Sequence, residues 1–311
     1  MSDRFPAMPA YWIQPDVSPS RPASAVDCGE GRPQRPPVWQ ERLGRHLLLF
    51  LSPRLRRGPQ ADPPNGLAPW ERFEIARSRD PGRLSALWYP APQARGAVLL
   101  VHPWLDLGQS FFYQRGRLRA LRQAGYHAMT FDLGGVGGSG PLPAGFHDGD
   151  LADALAALRA RAGGLPVHLW GVSVGGYWSH VLLSRTGGVA GAFFEDVPGH
   201  LIEWSKRMIP RGMLFYLFFQ HCLGRTYRFL DARRHAPYLR VDAAAYVSGE
   251  RDRGVLPGET RELALRAGAE SLLVGGADHL QALRNAGRKV PALALRTFER
   301  ATATFSSRSK K

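Results

Sequence analysis

The distribution of apolar and polar residues divides the chain at about residue 70. Beyond that point, short apolar runs alternate with longer stretches in which apolar residues recur every three or four positions. Short continuous runs are typical of strands buried on both faces, and the longer periodic stretches are typical of helices that cover a sheet. The pattern therefore predicts an α/β domain over residues 70–306.

Eight strands are predicted in this domain. In chain order they are ERFEIA, RLSALWYP, GAVLLVHP, YHAMTFDL, VHLW, VAGAFFEDV, DAAAYVSGE and ESLLVGG. Helices separate most of them, and such alternation requires parallel strands with crossover connections. We expect a mainly parallel sheet covered by helices on both faces. The alanine-rich stretch DLADALAALRARAGG should form one of these helices, with Asp150 as its N-cap.

The segment between the sixth and seventh strands is too long for a simple crossover. We expect a helical cap there, at about residues 197–240. Its apolar residues either pack the cap onto the sheet or line an acyl pocket. The candidates for such a pocket are Met213, Phe215 and Phe218 in the cap, together with His102 and Trp104 after the third strand.

Residues 1–69 differ from the domain and hold thirteen of the 25 prolines. We expect a Pro-rich arm that is partly disordered. Within it, residues 39–52 fit a short amphipathic basic helix ended by Pro53, either docked on the domain or in peripheral contact with a membrane. A short basic tail, residues 307–311, closes the chain.

The segment Gly171-Val172-Ser173-Val174-Gly175-Gly176 lies between a predicted buried strand and a predicted helix. A serine flanked by glycine two positions to either side is typical of a nucleophile elbow, a tight turn that lifts the hydroxyl above the sheet. Small residues are needed because strand and helix approach closely there. We therefore predict that Ser173 is a nucleophile and not part of an ordinary turn.

A serine nucleophile needs a base and an orienting acid. Asp252 follows the seventh strand and His279 follows the eighth, so their loops should meet Ser173 at the carboxyl edge of a parallel sheet. The order Ser, acid, His is the one expected for a nucleophile elbow. Glu195 and Asp196, after the sixth strand, are alternative acids.

On these motifs the chain resembles the α/β-hydrolase fold family, in particular its serine esterase-like and lipase-like members. The resemblance implies that Ser173 attacks a carbonyl, His279 removes its proton and Asp252 orients the imidazole. It also implies an oxyanion hole. His102 matches the family's His-Gly pair, but Pro103 replaces the glycine and has no N–H. We expect the hole to use the backbone amides of Trp104 and Val174.

The loop after the fourth strand is a partial match to the same family. Where the family often has Asp-x-Arg-Gly-x-Gly-x-Ser, this chain has Asp132-Leu133-Gly134-Gly135-Val136-Gly137-Gly138-Ser139. We interpret Asp132 as a structural carboxylate. The loop also fits GxGxxG, but residues 141–149 contain helix breakers where a dinucleotide site would need a helix. We expect no cofactor and no metal.

Charge and cysteine content bear on the partners of the protein and on its cellular compartment. The net charge is +15, yet no nucleic-acid-binding motif accompanies it, so we expect no nucleic-acid partner. The two cysteines, Cys28 and Cys222, cannot build a disulfide framework, and the chain begins without an apolar signal segment. We predict a cytoplasmic protein; its oligomeric state is left open.

Together these features predict a serine hydrolase that cleaves a small-molecule carboxylic ester with an apolar acyl part. A thioesterase or an acyltransferase would use the same three side chains. A non-catalytic protein of this fold, binding a ligand or a partner, is the alternative from another class.

Overall fold

The structure is a computed structural model of the chain. The residues that it describes are 10–13, 31–50, 62–103, 108–113, 116–208 and 212–308. Much of the predicted arm lies outside them, and so does Trp104, one of the two predicted oxyanion donors.

The described residues form one sheet of nine strands. They are β1 (Ala10–Ile13), β2 (Glu71–Ala76), β3 (Arg83–Tyr89), β4 (Gly96–Val101), β5 (Tyr126–Phe131), β6 (Val167–Val172), β7 (Gly191–Glu195), β8 (Ala243–Gly249) and β9 (Glu270–Val274). Their order is β1-β9-β8-β7-β6-β4-β5-β3-β2. The six strands from β4 to β9 are parallel to one another, whereas β1, β2 and β3 pair antiparallel. The predicted eight strands are all present.

The ninth strand, β1, was not predicted. Ala10–Ile13 lies inside the Pro-rich arm and pairs antiparallel with β9, in the register Ala10 to Val274 through Ile13 to Ser271. A four-residue apolar segment between prolines carries little strand signal of its own. The open edge of β9 supplies the hydrogen-bonding partner that such a segment lacks in isolation.

Eleven helices accompany the sheet in the described residues. They are α1 (Val38–Phe50), α2 (Arg117–Gln123), α3 (Asp148–Ala162), α4 (Val174–Arg185), α5 (Leu201–Met208), α6 (Gly212–Cys222), α7 (Gly224–Phe229), α8 (Ala232–His235), α9 (Pro257–Arg266), α10 (Ala282–Ala286) and α11 (Lys289–Arg308). Buried residues of α3, α4 and α9 share one hydrophobic cluster with one sheet face. Buried residues of α2 and α11 share a second cluster with the other face. Both faces of the sheet are therefore covered, as an all-buried parallel sheet requires.

The start of α3 corrects one prediction. The helix begins at Asp148, and Asp150 lies in its first turn instead of at the N-cap. The Asp150 carboxylate is buried and accepts hydrogen bonds from Arg77 Nε (2.9 Å) and from the N–H of Gly134 (2.9 Å). Asp150 therefore ties the helix to the loop that follows β5. A Cβ at Gly134 would lie 2.8 Å from the same carboxylate, so the loop approaches Asp150 this closely only because residue 134 is glycine.

Helices α5 to α8 lie between β7 and β8 and form the cap, in the predicted place after the sixth of the eight predicted strands. Helix α1 packs against this cap. A Cβ at Gly44 would lie 3.2 Å from Thr226 and 3.3 Å from Phe219, so α1 can approach closely only because residue 44 is glycine. An ion pair between Arg35 and Asp148 (2.5 Å) fixes the segment before α1 to the domain.

Candidate active site

Ser173 occupies the turn between β6 and α4. Its backbone has φ 49° and ψ −121°, in a region that residues with a side chain rarely adopt. Its N–H donates to the carbonyl of Glu195 at 2.8 Å, which ties the turn to the end of the neighbouring strand β7. The structure thus contains the strained strand-to-helix turn that the sequence predicts.

Glycines allow the close approaches that this turn requires. A Cβ at Gly171 would lie 2.6 Å from the Cα of Gly176, and a Cβ at Gly175 would lie 2.3 Å from the carbonyl oxygen of His102. Both distances are far below normal contact. Gly171 and Gly176 let strand and helix touch, and Gly175 lets the turn rest on the chain that follows β4.

The three predicted catalytic side chains come together at the carboxyl edge of the sheet. Ser173 Oγ lies 3.1 Å from His279 Nε2, and His279 Nδ1 lies 2.7 Å from Asp252 Oδ2. A carboxylate can only accept, so Nδ1 carries the proton and Nε2 presents its lone pair to the serine hydroxyl. This arrangement can move a proton from Ser173 to His279.

The loop around Asp252 holds its carboxylate firmly. Oδ1 accepts the N–H groups of Gly254 (2.9 Å) and Val255 (2.8 Å), which leaves Oδ2 for the imidazole. Burial alone would lower the pKa of His279, but the carboxylates of Asp252, Asp196 and Asp278 together outweigh it and raise that pKa above its ordinary value. A positive charge on the His279 imidazole is therefore stabilised.

Of the two alternative acids, neither takes the place of Asp252. Glu195 points into the face that α2 covers, where its carboxylate pairs with the fully buried Arg117 and accepts from Trp170 Nε1 (3.3 Å). Asp196 is fully buried near His279 and accepts the N–H groups of Gly249 and Leu280. Burial and neighbouring carboxylates raise the pKa of Asp196 well above its usual range. The sequence analysis named Asp196 as an alternative acid, but it did not predict that Asp196 and Asp252 would both lie near His279.

Asp196, Asp252 and His279 could also be considered as a metal-binding group, since their ligand atoms lie within 4.8 Å of one another. The same atoms, however, already bond to each other or to backbone N–H groups: Asp252 to His279, and Asp196 to Leu280. A cation would have to break these bonds. The geometry fits a proton relay better than a metal centre.

His102, predicted to line the pocket, is fully buried, and both its ring nitrogens contact the backbone. Nδ1 lies 2.7 Å from the carbonyl oxygen of Pro103, and Nε2 accepts the N–H of Leu133 at 3.0 Å. Burial lowers the pKa of His102 to about 4, so the ring is neutral near pH 7. His102 thus joins the end of β4 to the loop after β5, and its contact with substrate stays a prediction.

Of the two predicted oxyanion donors, Val174 and Trp104, the structure describes Val174. Val174 is the first residue of α4, directly after Ser173, at a helix terminus where backbone N–H groups lack intrahelical acceptors. Trp104 lies outside the described residues. The contact between Gly175 and the carbonyl of His102 brings the nucleophile turn against the segment that leads to Trp104.

The loop after β5 is built around Asp132. Its carboxylate accepts the N–H groups of Gln109 (2.8 Å) and Gly138 (3.0 Å), so it connects the glycine loop to the segment before α2. No helix begins within residues 134–147, all of which the structure describes. A dinucleotide pyrophosphate would therefore find no helix N-terminus within these residues.

The cap residues next to the loop that carries Asp252, here called the acid loop, differ from those predicted for the pocket. Phe215 packs inward on Phe219, with ring centroids 4.6 Å apart, while Met213 and Phe218 lie on the exposed face of α6. It is α5 that reaches the acid loop: a Cβ at Gly254 would lie 3.3 Å from Met208 Sδ. The place of Met213, Phe215 and Phe218 in a pocket stays a prediction.

Arg207 fixes α5 to that loop. Its Nη2 donates to the carbonyl of Gly254 at 3.0 Å, and its guanidinium pairs with Glu259 at 2.8 Å. Helix α5 of the cap is therefore bonded to the loop that carries Asp252.

Among the described residues, no helix is both long and apolar enough to cross a membrane.

Comparison with known proteins agrees with this architecture. The family model of the alpha/beta hydrolase fold matches residues 96–236, which include Ser173 and most of the cap. No curated protein matches the sequence significantly.

Several solved structures are similar in fold. An esterase from Pyrococcus furiosus superposes with a TM-score of 0.65 at 16% identity, covering 79% of this chain and 97% of that one. A bromoperoxidase from Bacillus anthracis has a TM-score of 0.53 at 18% identity, with coverages of 74% and 100%. A meta-cleavage product hydrolase from Pseudomonas fluorescens has a TM-score of 0.53 at 15% identity, with coverages of 74% and 98%.

These likenesses are too low in identity to transfer an activity, but they agree on one architecture. The strand order, the strained serine turn between β6 and α4 and the matching family model lead to the same result. The chain has the α/β-hydrolase fold, and its residues 96–236 match the family model of that fold.

Proposed function

We propose that the protein is a serine hydrolase that cleaves a carboxylic ester through an acyl-enzyme. One observation supports this above all: Ser173 Oγ, His279 and Asp252 form a continuous hydrogen-bonded chain, 3.1 Å and 2.7 Å long at its two links. Each of the three side chains lies on a separate loop. Only the folded sheet brings them together, and a purely structural serine would not need a buried acid behind its histidine.

In the first half of the reaction, Ser173 Oγ attacks the carbonyl carbon of the ester while His279 Nε2 takes the hydroxyl proton. The resulting tetrahedral oxyanion collapses by breaking the bond to the leaving alkoxide, which receives the proton back from Nε2. The products are a free alcohol and an acyl-Ser173 ester. Asp252 keeps the proton on Nδ1 throughout and stabilises the transient imidazolium.

In the second half, water replaces the alcohol. His279 removes a proton from the water, whose oxygen attacks the acyl carbonyl, and collapse of this second intermediate returns the proton to Ser173 Oγ. The carboxylic acid leaves and the enzyme is regenerated. Two backbone donors, the N–H groups of Val174 and Trp104, would bind the oxyanion in both intermediates.

The acyl part is proposed to be apolar because the cap next to the acid loop offers Trp204 and Met208. An alcohol or a thiol as leaving group uses the same proton route, so a thioesterase or an acyltransferase is the nearest alternative. Binding without catalysis would leave the strained serine turn without a purpose, since strain of this kind costs roughly 1–3 kcal/mol.

Covalent labelling with a fluorophosphonate probe, read by intact mass, tests this function. The wild-type protein should gain one adduct, Ser173→Ala should gain none, and Ser307→Ala, an exposed serine on α11, should label like wild type. A folded wild-type protein that takes no label would refute catalysis by this serine. Esters and thioesters of graded acyl length, with and without an acceptor alcohol, then distinguish hydrolysis from acyl transfer.

A peripheral membrane contact through the N-terminal arm is proposed as an addition. On α1, Val38 and Trp39 are 64% and 60% exposed, and the basic Arg42 and Arg45 lie on the same helix. Apolar side chains flanked by arginine favour an anionic bilayer surface. Flotation with vesicles containing phosphatidylserine should retain the wild type more than Trp39→Ser; equal retention of both, or of neither, would remove the proposal.

A further inference from the structure

Asp196 occupies an unusual place at the end of β7. Its backbone has φ 49°, and its side chain is fully buried. Oδ1 accepts the N–H of Gly249 (3.2 Å), the last residue of β8 before the Asp252 loop, and Oδ2 accepts the N–H of Leu280 (2.8 Å), the residue after the base. One carboxylate therefore links the loop of the acid to the loop of the base.

The turn that carries His279 depends on this link. Leu280 has φ 60°, a value that costs energy for a residue with a side chain. A second carboxylate acts on the same turn: Asp278 Oδ1 accepts the N–H of His279 at 2.8 Å. Two adjacent backbone N–H groups are thus held by two carboxylates, one buried and one exposed.

We infer that Asp196 is a positioning residue for His279, one that fixes the turn of the base and, as a buried negative charge, stabilises its imidazolium. The inference rests on the proposed function. It goes beyond the triad, because Asp196 supplies a second charge to a histidine whose Nδ1 is already bonded to Asp252.

The charges around the two groups determine the pH dependence. His279 faces Asp252, Asp196 and Asp278, and all three raise its pKa. Asp196 faces Glu195, Asp252 and His279; the two acids and burial raise its pKa, and His279 lowers it.

Asp196 therefore ionises at higher pH than an ordinary aspartate, close to the range in which His279 loses its proton. Below that range Asp196 is neutral and no longer stabilises the imidazolium. The contribution of its charge to catalysis must therefore grow as the pH rises.

The variant Asp196→Asn, with Asp278→Asn as the matched control, tests this inference by two readouts. The first is the pH profile of kcat/KM for an ester that the wild type hydrolyses. Asp196→Asn should be about tenfold slower than wild type at pH 8.5, because a tenfold change accompanies each unit lost from the pKa of the base. The two profiles should converge at pH 5.5. Asp278→Asn should slow the enzyme less than Asp196→Asn does at pH 8.5, since solvent screens an exposed charge.

The second readout is the pKa of His279, measured by NMR of its ring nitrogens. Asp196→Asn should lower it by about one unit, and Asp278→Asn by less. An unchanged pKa with a rate deficit that is constant with pH would mean a merely structural role and would overturn the inference. If Asp196→Asn does not fold, the wild-type titration decides: His279 should titrate in two steps, reflecting its interaction with Asp196, and a single step overturns the inference.

The two hypotheses fail in different ways. If the wild type neither hydrolyses esters nor takes the probe, the proposed function falls, while the NMR titration still measures the coupling between Asp196 and His279. If the wild type is active and Asp196→Asn leaves the pKa of His279 unchanged, the proposed function stands and this inference falls.

Discussion

The carboxyl edge of the sheet and helix α6 of the cap are built in opposite ways. At the edge, buried carboxylates such as Asp196 and Asp252 have backbone N–H partners, and glycines permit contacts shorter than any side chain allows. On α6, by contrast, four large apolar side chains lie exposed: Met213, Leu214, Leu217 and Phe218.

This difference separates two tasks. Several hydrogen bonds fix the positions of Ser173, Asp252 and His279 at the edge, and the proposed proton transfer requires such fixed geometry. The side chains on the outer face of α6 are exposed and make few contacts, so the fold places little constraint on which residues stand there. Substitutions should therefore have unequal effects in the two regions.

The largest effect is expected at the edge, from Asp252→Asn. Without a carboxylate the imidazole loses its preferred tautomer and the support of its positive charge, so kcat should fall roughly 10³- to 10⁴-fold. Steady-state kinetics with an ester substrate measures this. Asp242→Asn, before the opposite end of β8, serves as a control and should keep full activity. A loss under tenfold would mean that Asp196 replaces Asp252 as the acid.

Two neighbouring residues of α6 test the cap. Phe219 is fully buried and Phe218 is 39% exposed. Phe219→Ala should lower the free energy of unfolding by about 3–5 kcal/mol, because it leaves a cavity between α6 and α1. Phe218→Ala should lower it by less than about 1 kcal/mol. Urea unfolding compares the two; equal losses would mean that the outer face of α6 is covered in solution.

A single methyl group tests the close packing at the edge. Gly175→Ala places a Cβ against the carbonyl of His102, and we expect a loss of roughly 1–3 kcal/mol in unfolding free energy together with weaker probe labelling. Gly258→Ala, on α9 where a Cβ meets nothing within 4 Å, is the control and should not destabilise the protein. If Gly175→Ala labels at the wild-type rate, the turn can shift to accept the methyl group, and the close contact with His102 does not control the reactivity of Ser173.

Low pH should lower the free energy of unfolding through buried histidines in both regions, by less for each residue than the substitutions above. Burial lowers the pKa of His102 at the edge to about 4, and those of His200 and His235 in the cap to about 3 and about 4. Because the unfolded chain binds these protons more readily, stability is intact above about pH 6.5 and falls as the pH drops towards the folded values. Each of these histidines contributes on the order of 1 kcal/mol or more to the loss of unfolding free energy. Unfolding free energies that are equal at pH 7.5 and 4.5 would contradict this.

The sequence was sufficient for eight of the nine strands, and for placing Ser173, Asp252 and His279 at one edge of the sheet, because both are encoded locally. Buried strands appear as apolar runs, and the elbow has its own glycine spacing around Ser173. Asp252 and His279 follow from their position just after neighbouring strands. Topology alone then brings the loops together.

Other features depend on partners far away in the chain and left no local signal. Asp150 looked like an N-cap, yet its carboxylate bonds Arg77, 73 residues earlier. Asp196 looked like a rival acid, and only the three-dimensional contacts with Gly249 and Leu280 distinguish it from Asp252. A side chain whose partner is remote cannot be assigned from spacing.

The short strand β1 also has a practical consequence for handling this protein. It covers the outer edge of β9, the strand that leads into the loop of His279. A version of the chain shortened to begin at residue 31 would leave that edge bare, with a row of unpaired backbone groups open to strands of other molecules. Purification tags and truncations at the amino end should therefore be chosen with self-association and turbidity in view, because Ala10–Ile13 shields the edge of the sheet from other copies of the protein.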